Sequence, residues 1–182
     1  MTFLEFAPSL DADPRVMRAH LLLIAHAHDQ HRPNSELTFL KMSYHEYLLR
    51  LPTALEKVLI YRRGGNVGRL HLKDFERDSV EAKILALRFE PWTSNYRLAM
   101  SALVASGLLS VLIGGDQRNW KVIATEKGRS LAQTLAANAA FEPTWRRAEI
   151  IVKTLDVKLK TLRYYIERAV PETVTLEMSA AS

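Results

Sequence analysis

Cysteine is absent from the 182 residues. That single lack removes disulfide scaffolds, thiolate zinc sites, iron–sulfur clusters and thiol nucleophiles together. The opening MTFLEFAPSLDADP has no basic stretch leading into an apolar run; its only charges are Glu5, Asp11 and Asp13. No secretory signal is expected, and the chain is placed in the cytoplasm. One uncharged run does reach 18 residues, Leu98 to Gly115, at the lower limit for a membrane span. It contains three serines and a Gly114-Gly115 pair, and its pattern turns from helical to strand-like at Gly107. A helix, a glycine stop and a strand explain it better than a membrane helix. What remains is the composition of one ordinary soluble domain, 48% hydrophobic, 25% charged and 8% aromatic, large enough to bury a core without staples. A formal net charge of +5 suits acidic partners, nucleic acid among them, without requiring any.

Helix signals come first along the chain. Asp13 is a good N-cap with Pro14 at the first helical position, and the apolar spacing of Val16, Met17, Leu21 and Ile24 carries a helix to about His31. A second helix is expected from Asn34 or Ser35 through Leu37, Leu40, Tyr44, Tyr47 and Leu48. Pro52 interrupts it before a continuation over Ala54 to Ile60. Gly64, Gly65 and Gly68 mark a loop or hairpin, and Phe75 to Phe89 reads as helical up to Pro91. Thr93 or Ser94 then caps a helix whose Tyr96, Met100, Leu103 and Val104 face one way, with Gly107 as its left-handed stop. Leu109, Val111 and Ile113 alternate, residues 114–119 turn, and Trp120, Val122 and Ala124 alternate back, which is a hairpin. Thr125 caps a helix from Glu126 to about Asn138. Helices followed by helix, two-strand wing and helix are the order of a winged helix-turn-helix.

The strongest periodicity comes last. Trp145, Ala148, Val152, Leu155, Leu159, Leu162, Ile166 and Ala169 follow a 3-4 spacing, the seam of one long helix. Ile150, Val157 and Tyr164 recur every seven on nearly the opposite side, with Ile151 and Tyr165 beside them. One apolar face docks on the domain and the other is left for a partner, or both are buried in a single fold. Leu155, Leu159, Leu162, Ile166, Val157 and Tyr164 are thus the candidate partner-binding residues. The resulting layout is mainly α: a winged-helix domain with N-terminal helices over 1–140, a long C-terminal interaction helix over 141–170 and a flexible tail over 171–182.

The residue types of several catalytic constellations occur along the chain. His20, His26, His28 and His31 share one helix, but only His28 and His31 have ligand spacing, so a solvated face is expected instead of a metal site. His45-Glu46 begins like a zinc-protease motif, yet position 49 is leucine. Asp74, Glu81 and Lys83 have the residue types of a divalent-metal nuclease, but Glu81 and Lys83 would point apart on a helix. The glycines at 64, 65 and 68 lack the Lys-Ser/Thr of a phosphate loop. No catalytic, cofactor or metal residue is assigned, and the chain reads as a non-enzyme without small-molecule substrate. For DNA, Asn95, Arg97, Arg118 and Lys121 are the candidate contacts. The rest of the recognition-position helix, LAMSALVAS, offers only small residues on its exposed side, and that favours packing on protein over base reading.

Two stretches carry a resemblance. EYLLRLPTAL, Glu46 to Leu55, is similar to an acidic-aromatic-Leu-Leu-Arg-aromatic-Pro segment, with Leu51 where an aromatic is usual. RFEPWTSNYRLAMSALVASGLL, Arg88 to Leu109, is similar to a Gly-Pro-Trp-Asp segment leading into a tyrosine-containing helix, with Glu90 and Thr93 departing from it. On these segments residues 13–145 resemble the small middle component of three-component ABC-ATPase systems, the Lamassu-type anti-phage defence operons. The resemblance implies an adaptor joining an SMC-like ABC ATPase to an effector, often a nuclease, in a DNA-sensing complex. The competing expectation is a winged-helix transcriptional regulator dimerised through the Trp145 to Ala169 helix. Independently of the family, Trp92 and Tyr96 are placed to pin the Pro91 turn, and Arg50 to bond carbonyls at a helix end.

Overall fold

A computed structural model describes residues 13–63, 67–74, 76, 94–115 and 120–171. Among them are seven α-helices and one two-stranded sheet: α1 (Pro14–His31), α2 (Phe39–Arg50), α3 (Pro52–Tyr61), a 3-10 turn (Val67–Leu70), α4 (Ser94–Ala105), β1 (Leu109–Leu112), β2 (Lys121–Ala124), α5 (Glu126–Ala136), α6 (Glu142–Leu155) and α7 (Leu159–Ala169). The expected helix over Phe75 to Phe89 apart from Glu76, the glycines at 64 and 65, and Pro91, Trp92 and Arg118 lie outside the described residues, as do Glu81 and Lys83 of the nuclease reading.

The first helix starts as its sequence dictates. The Asp13 carboxylate accepts the Arg15 backbone N–H at 2.8 Å with Pro14 behind it, so one orphan donor of the first turn is satisfied. This helix runs through the middle of the molecule: every residue from Leu21 to His28 is buried, because α2, α4, α5, α6 and β2 all pack on it. His26 and His28 are therefore interior residues, which corrects the expected solvated histidine face. Each has an internal partner, His26 with Gln30 and His28 with Ser35 at 2.9 Å.

The second helix begins later than expected. Thr38, not Asn34 or Ser35, is its N-cap, accepting from the Lys41 N–H at 3.2 Å. Leu37 lies ahead of the helix in an extended segment. Its carbonyl accepts the Val122 N–H at 2.8 Å, and the Phe39 N–H donates to the Trp120 carbonyl at 2.7 Å. The helical spacing of Leu37 with Leu40 concealed this short strand-like pairing, which sequence patterns of two residues cannot reveal. Leu51 ends α2 and precedes Pro52 at the start of α3, as the restriction on the residue before proline requires.

The α4, hairpin and α5 boundaries follow the sequence closely. Gly107 has φ +68° and turns the chain out of α4. Thr125 caps α5 through Gly128 at 3.0 Å while its hydroxyl reaches the Gly107 carbonyl at 2.7 Å. Gly128 is needed for packing: a Cβ there would stand 1.9 Å from the Leu108 carbonyl oxygen. Gly128→Ala is therefore expected to cost about 2 kcal/mol in urea unfolding as the α5 end is pushed off the hairpin. Unchanged stability would mean that α5 packs less closely than this.

The long C-terminal helix is not formed. The chain breaks at Asp156–Lys158 into α6 and α7, and Asp156 explains the break. Its buried carboxylate accepts from Ser35 Oγ at 2.5 Å and Lys41 Nζ at 2.8 Å. Arg32 meanwhile donates to the Lys153 carbonyl at 2.6 Å, satisfying a terminal acceptor of α6. The corner turns α7 onto α3 and α2, so both halves of the seam keep facing the same core. Ala148, Val152, Leu155, Leu162 and Ile166 are fully buried, as is Ile151 on the other side. Burial within one fold thus accounts for the seam and for Ile150 and Ile151 of the second face, while Tyr164 stays exposed, and α6 and α7 share the core with α1 through α5.

His45 sits fully enclosed beside this corner, and burial, reinforced by the nearby Lys41, pushes its pKa down to about 4 from 6.5. Asp156 opposes that shift and His28 adds to it. Between those values the unfolded chain binds a proton that the folded chain excludes. Stability is therefore full above pH 6.5 and falls by about 3 kcal/mol as the pH drops to 4. His45→Gln should flatten this slope in urea titrations run across that interval; an unaltered slope would exclude His45 as its source.

Candidate functional site

The exposed side of α4 and the hairpin carries the most unusual surface. Leu98 on α4 is 66% exposed, and Leu112 and Ile113 at the end of β1 are 52% and 75% exposed. Val104, expected on the inner face with Tyr96, Met100 and Leu103, is also exposed, and Ala99 takes its place inside. The two are five residues apart, about 140° around the helix, so rotating the centre of the buried stripe by about 35° is enough to exchange them. Tyr96 anchors the inner face: its hydroxyl donates to the Phe39 carbonyl at 2.7 Å and its ring meets Phe39 edge-on at 5.0 Å.

Between α4 and the hairpin lies a groove of about 460 Å³. Met100, Val104 and Ala105 form one wall, Val111 and Ile113 the other, and Phe39 and Trp120 the end, with Arg97 the one charged side chain lining it among the described residues. The Trp120 indole nitrogen is shielded and has no hydrogen-bond partner there. Such a surface can desolvate against apolar side chains. It presents few hydrogen-bonding groups to base edges.

The DNA candidates are thinly distributed over this face. Asn95 and Arg97 are exposed on the first turns of α4, while Lys121 is ion-paired with Glu36 and so already partly neutralised. Of the partner candidates, Leu155, Leu162 and Ile166 are fully buried, and Leu159 and Val157 pack partly buried against the core. They form no open seam, because the corner at Asp156 folds them onto the chain's own helices. Tyr164 alone is exposed. Its hydroxyl accepts from Tyr61 at 3.3 Å and its ring lies 5.5 Å from the Arg168 guanidinium, a small aromatic patch at α3 and α7. The groove was missed in the sequence because Val104 and Ile113 fit the apolar spacing of their elements; the small-residue exposed side expected for LAMSALVAS pointed to protein packing, but the structure adds Leu98 and Val104 to that side.

Most motif residues of Glu46 to Leu55 are buried, with Arg50, Pro52 and Thr53 partly exposed. Glu46 is buried 3.6 Å from His20 and 3.4 Å from Arg50, so Arg50 serves α2's own carboxylate, in place of the carbonyl role expected for it. A second cavity of about 340 Å³ is lined by Arg69, His71, Arg146, Glu149 and Lys153. Its charges are largely spent internally: Arg146 pairs with Glu142, and Lys153 and His31 each meet Glu149 at 2.9 Å. Among the described residues no group of three or more metal-ligating side chains converges, and no helix is long and apolar enough to cross a membrane.

No protein-family model, curated protein or solved structure matches the chain. The surface chemistry therefore carries the functional reading.

Proposed function

We propose that the chain is a non-catalytic winged-helix adaptor that binds other proteins through the α4 and hairpin face. Following the resemblance of its two motifs, the partners are an SMC-like ABC ATPase and a nuclease-type effector of an anti-phage defence complex. DNA is reached through those partners or by weak phosphate contacts. The winged-helix form is supported by the order of α4, hairpin and α5 and by the Leu37–Phe39 segment that pairs along β2. The adaptor role rests on one observation: the recognition-position helix and wing expose Leu98, Val104, Leu112 and Ile113 where a DNA reader would carry polar and basic groups. Apolar exposure of this kind marks a protein contact.

The test is affinity purification of the tagged chain from its own host. The expected result is a large ABC ATPase and a second subunit at fixed stoichiometry, both lost in Leu98→Lys. Recovery of a homodimer holding one DNA sequence, released by Asn95→Ala with Arg97→Ala, would replace the adaptor with a transcriptional regulator.

A further inference from the structure

The hairpin leaves one row of backbone groups open. Its register pairs Leu109 with Ala124, Ser110 with Ile123, Val111 with Val122 and Leu112 with Lys121. The Thr125 N–H donates to the Leu108 carbonyl at 3.1 Å, which fixes the phase. In an antiparallel ladder alternate residues bond the neighbouring strand, so Leu108, Ser110 and Leu112 bond toward β2 while Val111 turns its N–H and C=O to the far edge. The far edge of β2 is covered by Leu37 and Phe39. That of β1 has no strand beside it among the described residues. Two usual protections of an edge are missing, since Leu98 to Gly115 holds no charge and no proline.

We propose that the outer edge of β1 receives an extended segment of a partner protein as an added strand. Alternate apolar side chains of that segment enter the groove between Val104 and Ile113, and a carboxylate of the segment meets Arg97. This deepens the adaptor reading and rests on it. An extended occupant fits because it alone supplies acceptors and donors to Val111; a helix laid in the groove would leave them unpaired. The acidic character follows from Arg97, the single charge lining the groove among the described residues. A second copy of β1 would bring no counter-charge, since the whole Leu98 to Gly115 run is uncharged.

The experiment pans a phage-displayed library of random peptides of about twelve residues, long enough for one strand, against the purified full chain. Enrichment of alternating apolar sequences with an acidic residue is expected. Their affinity should fall about ten-fold or more, at least 1.4 kcal/mol, in Val111→Pro, which removes the outward N–H at an edge position where proline is tolerated. It should fall less in Val111→Ala, which trims the same side chain of the groove wall but keeps the N–H. Ile113→Lys, at a largely exposed position, gives a second variant whose folding is safe and should act like Val111→Pro. Arg97→Glu should turn the selection from acidic to basic peptides. No enrichment, helically spaced sequences, or binding unchanged by Val111→Pro and Ile113→Lys would overturn the proposal. So would a concentration-dependent dimer in light scattering that Ile113→Lys dissolves, since a second copy would then be the occupant. A host complex that survives Val111→Pro overturns the added strand alone, whereas a host preparation without partners overturns the adaptor reading itself.

Discussion

Leu155→Asp is expected to yield no folded protein. Leu155 ends α6 with no solvent exposure, and a carboxylate there would be stripped of water. The cost of several kcal/mol is comparable with the whole stability of a domain of this size, about 5 to 15 kcal/mol. The gentler Leu155→Ala should lose about 3 kcal/mol through lost burial and a residual cavity. Circular dichroism and urea unfolding read both variants. A soluble, folded Leu155→Asp protein would mean that the α6 end is open to water and that the seam is, after all, a surface.

Asp156→Ala is expected to cost about 4 kcal/mol, because it leaves Lys41 with no counter-ion in a largely enclosed site. Burial alone would raise the Asp156 pKa, but the hydrogen bonds from Lys41 and Ser35 outweigh it and hold the carboxyl below the usual range. A depressed folded-state value makes this contribution complete above the unfolded pKa of about 3.9. It is lost as the pH falls through the folded value. Asp156→Ala should therefore also flatten the acid limb of stability below about pH 4. A loss under about 1 kcal/mol, the level of an exposed pair, would show that the corner is held by packing and not by charge.

Local signals survived folding well where one residue decides them. Asp13 with Pro14, Pro52, Gly107 and Thr125 each punctuate the chain through their own backbone or side-chain chemistry, and each stands where its type predicts. Long-range signals did not. The seam from Trp145 to Ala169 records which side chains face the core, and that pattern is indifferent to a three-residue corner between helices that both lie along it. Nothing in the local sequence marks Asp156 as a corner, because its partners, Ser35 and Lys41, are 121 and 115 positions away. The groove was equally hidden, since exposure of Val104 and Ile113 depends on what α4 and the hairpin leave uncovered. Nothing in their own spacing distinguishes them from core residues.

The central position of α1 sets an order on the making of the protein. His31 at its end meets Glu149 of α6 across 118 positions, and α6 is one of the walls that enclose it. A helix carrying Leu21, Leu22, Leu23 and Ile24 thus leaves the ribosome well before the segment that finishes covering it has been synthesised. Closing so long a loop is slow, and an apolar helix in waiting is prone to wrong contacts. The growing chain must hold its own axle only partly covered until α6 arrives to seat it.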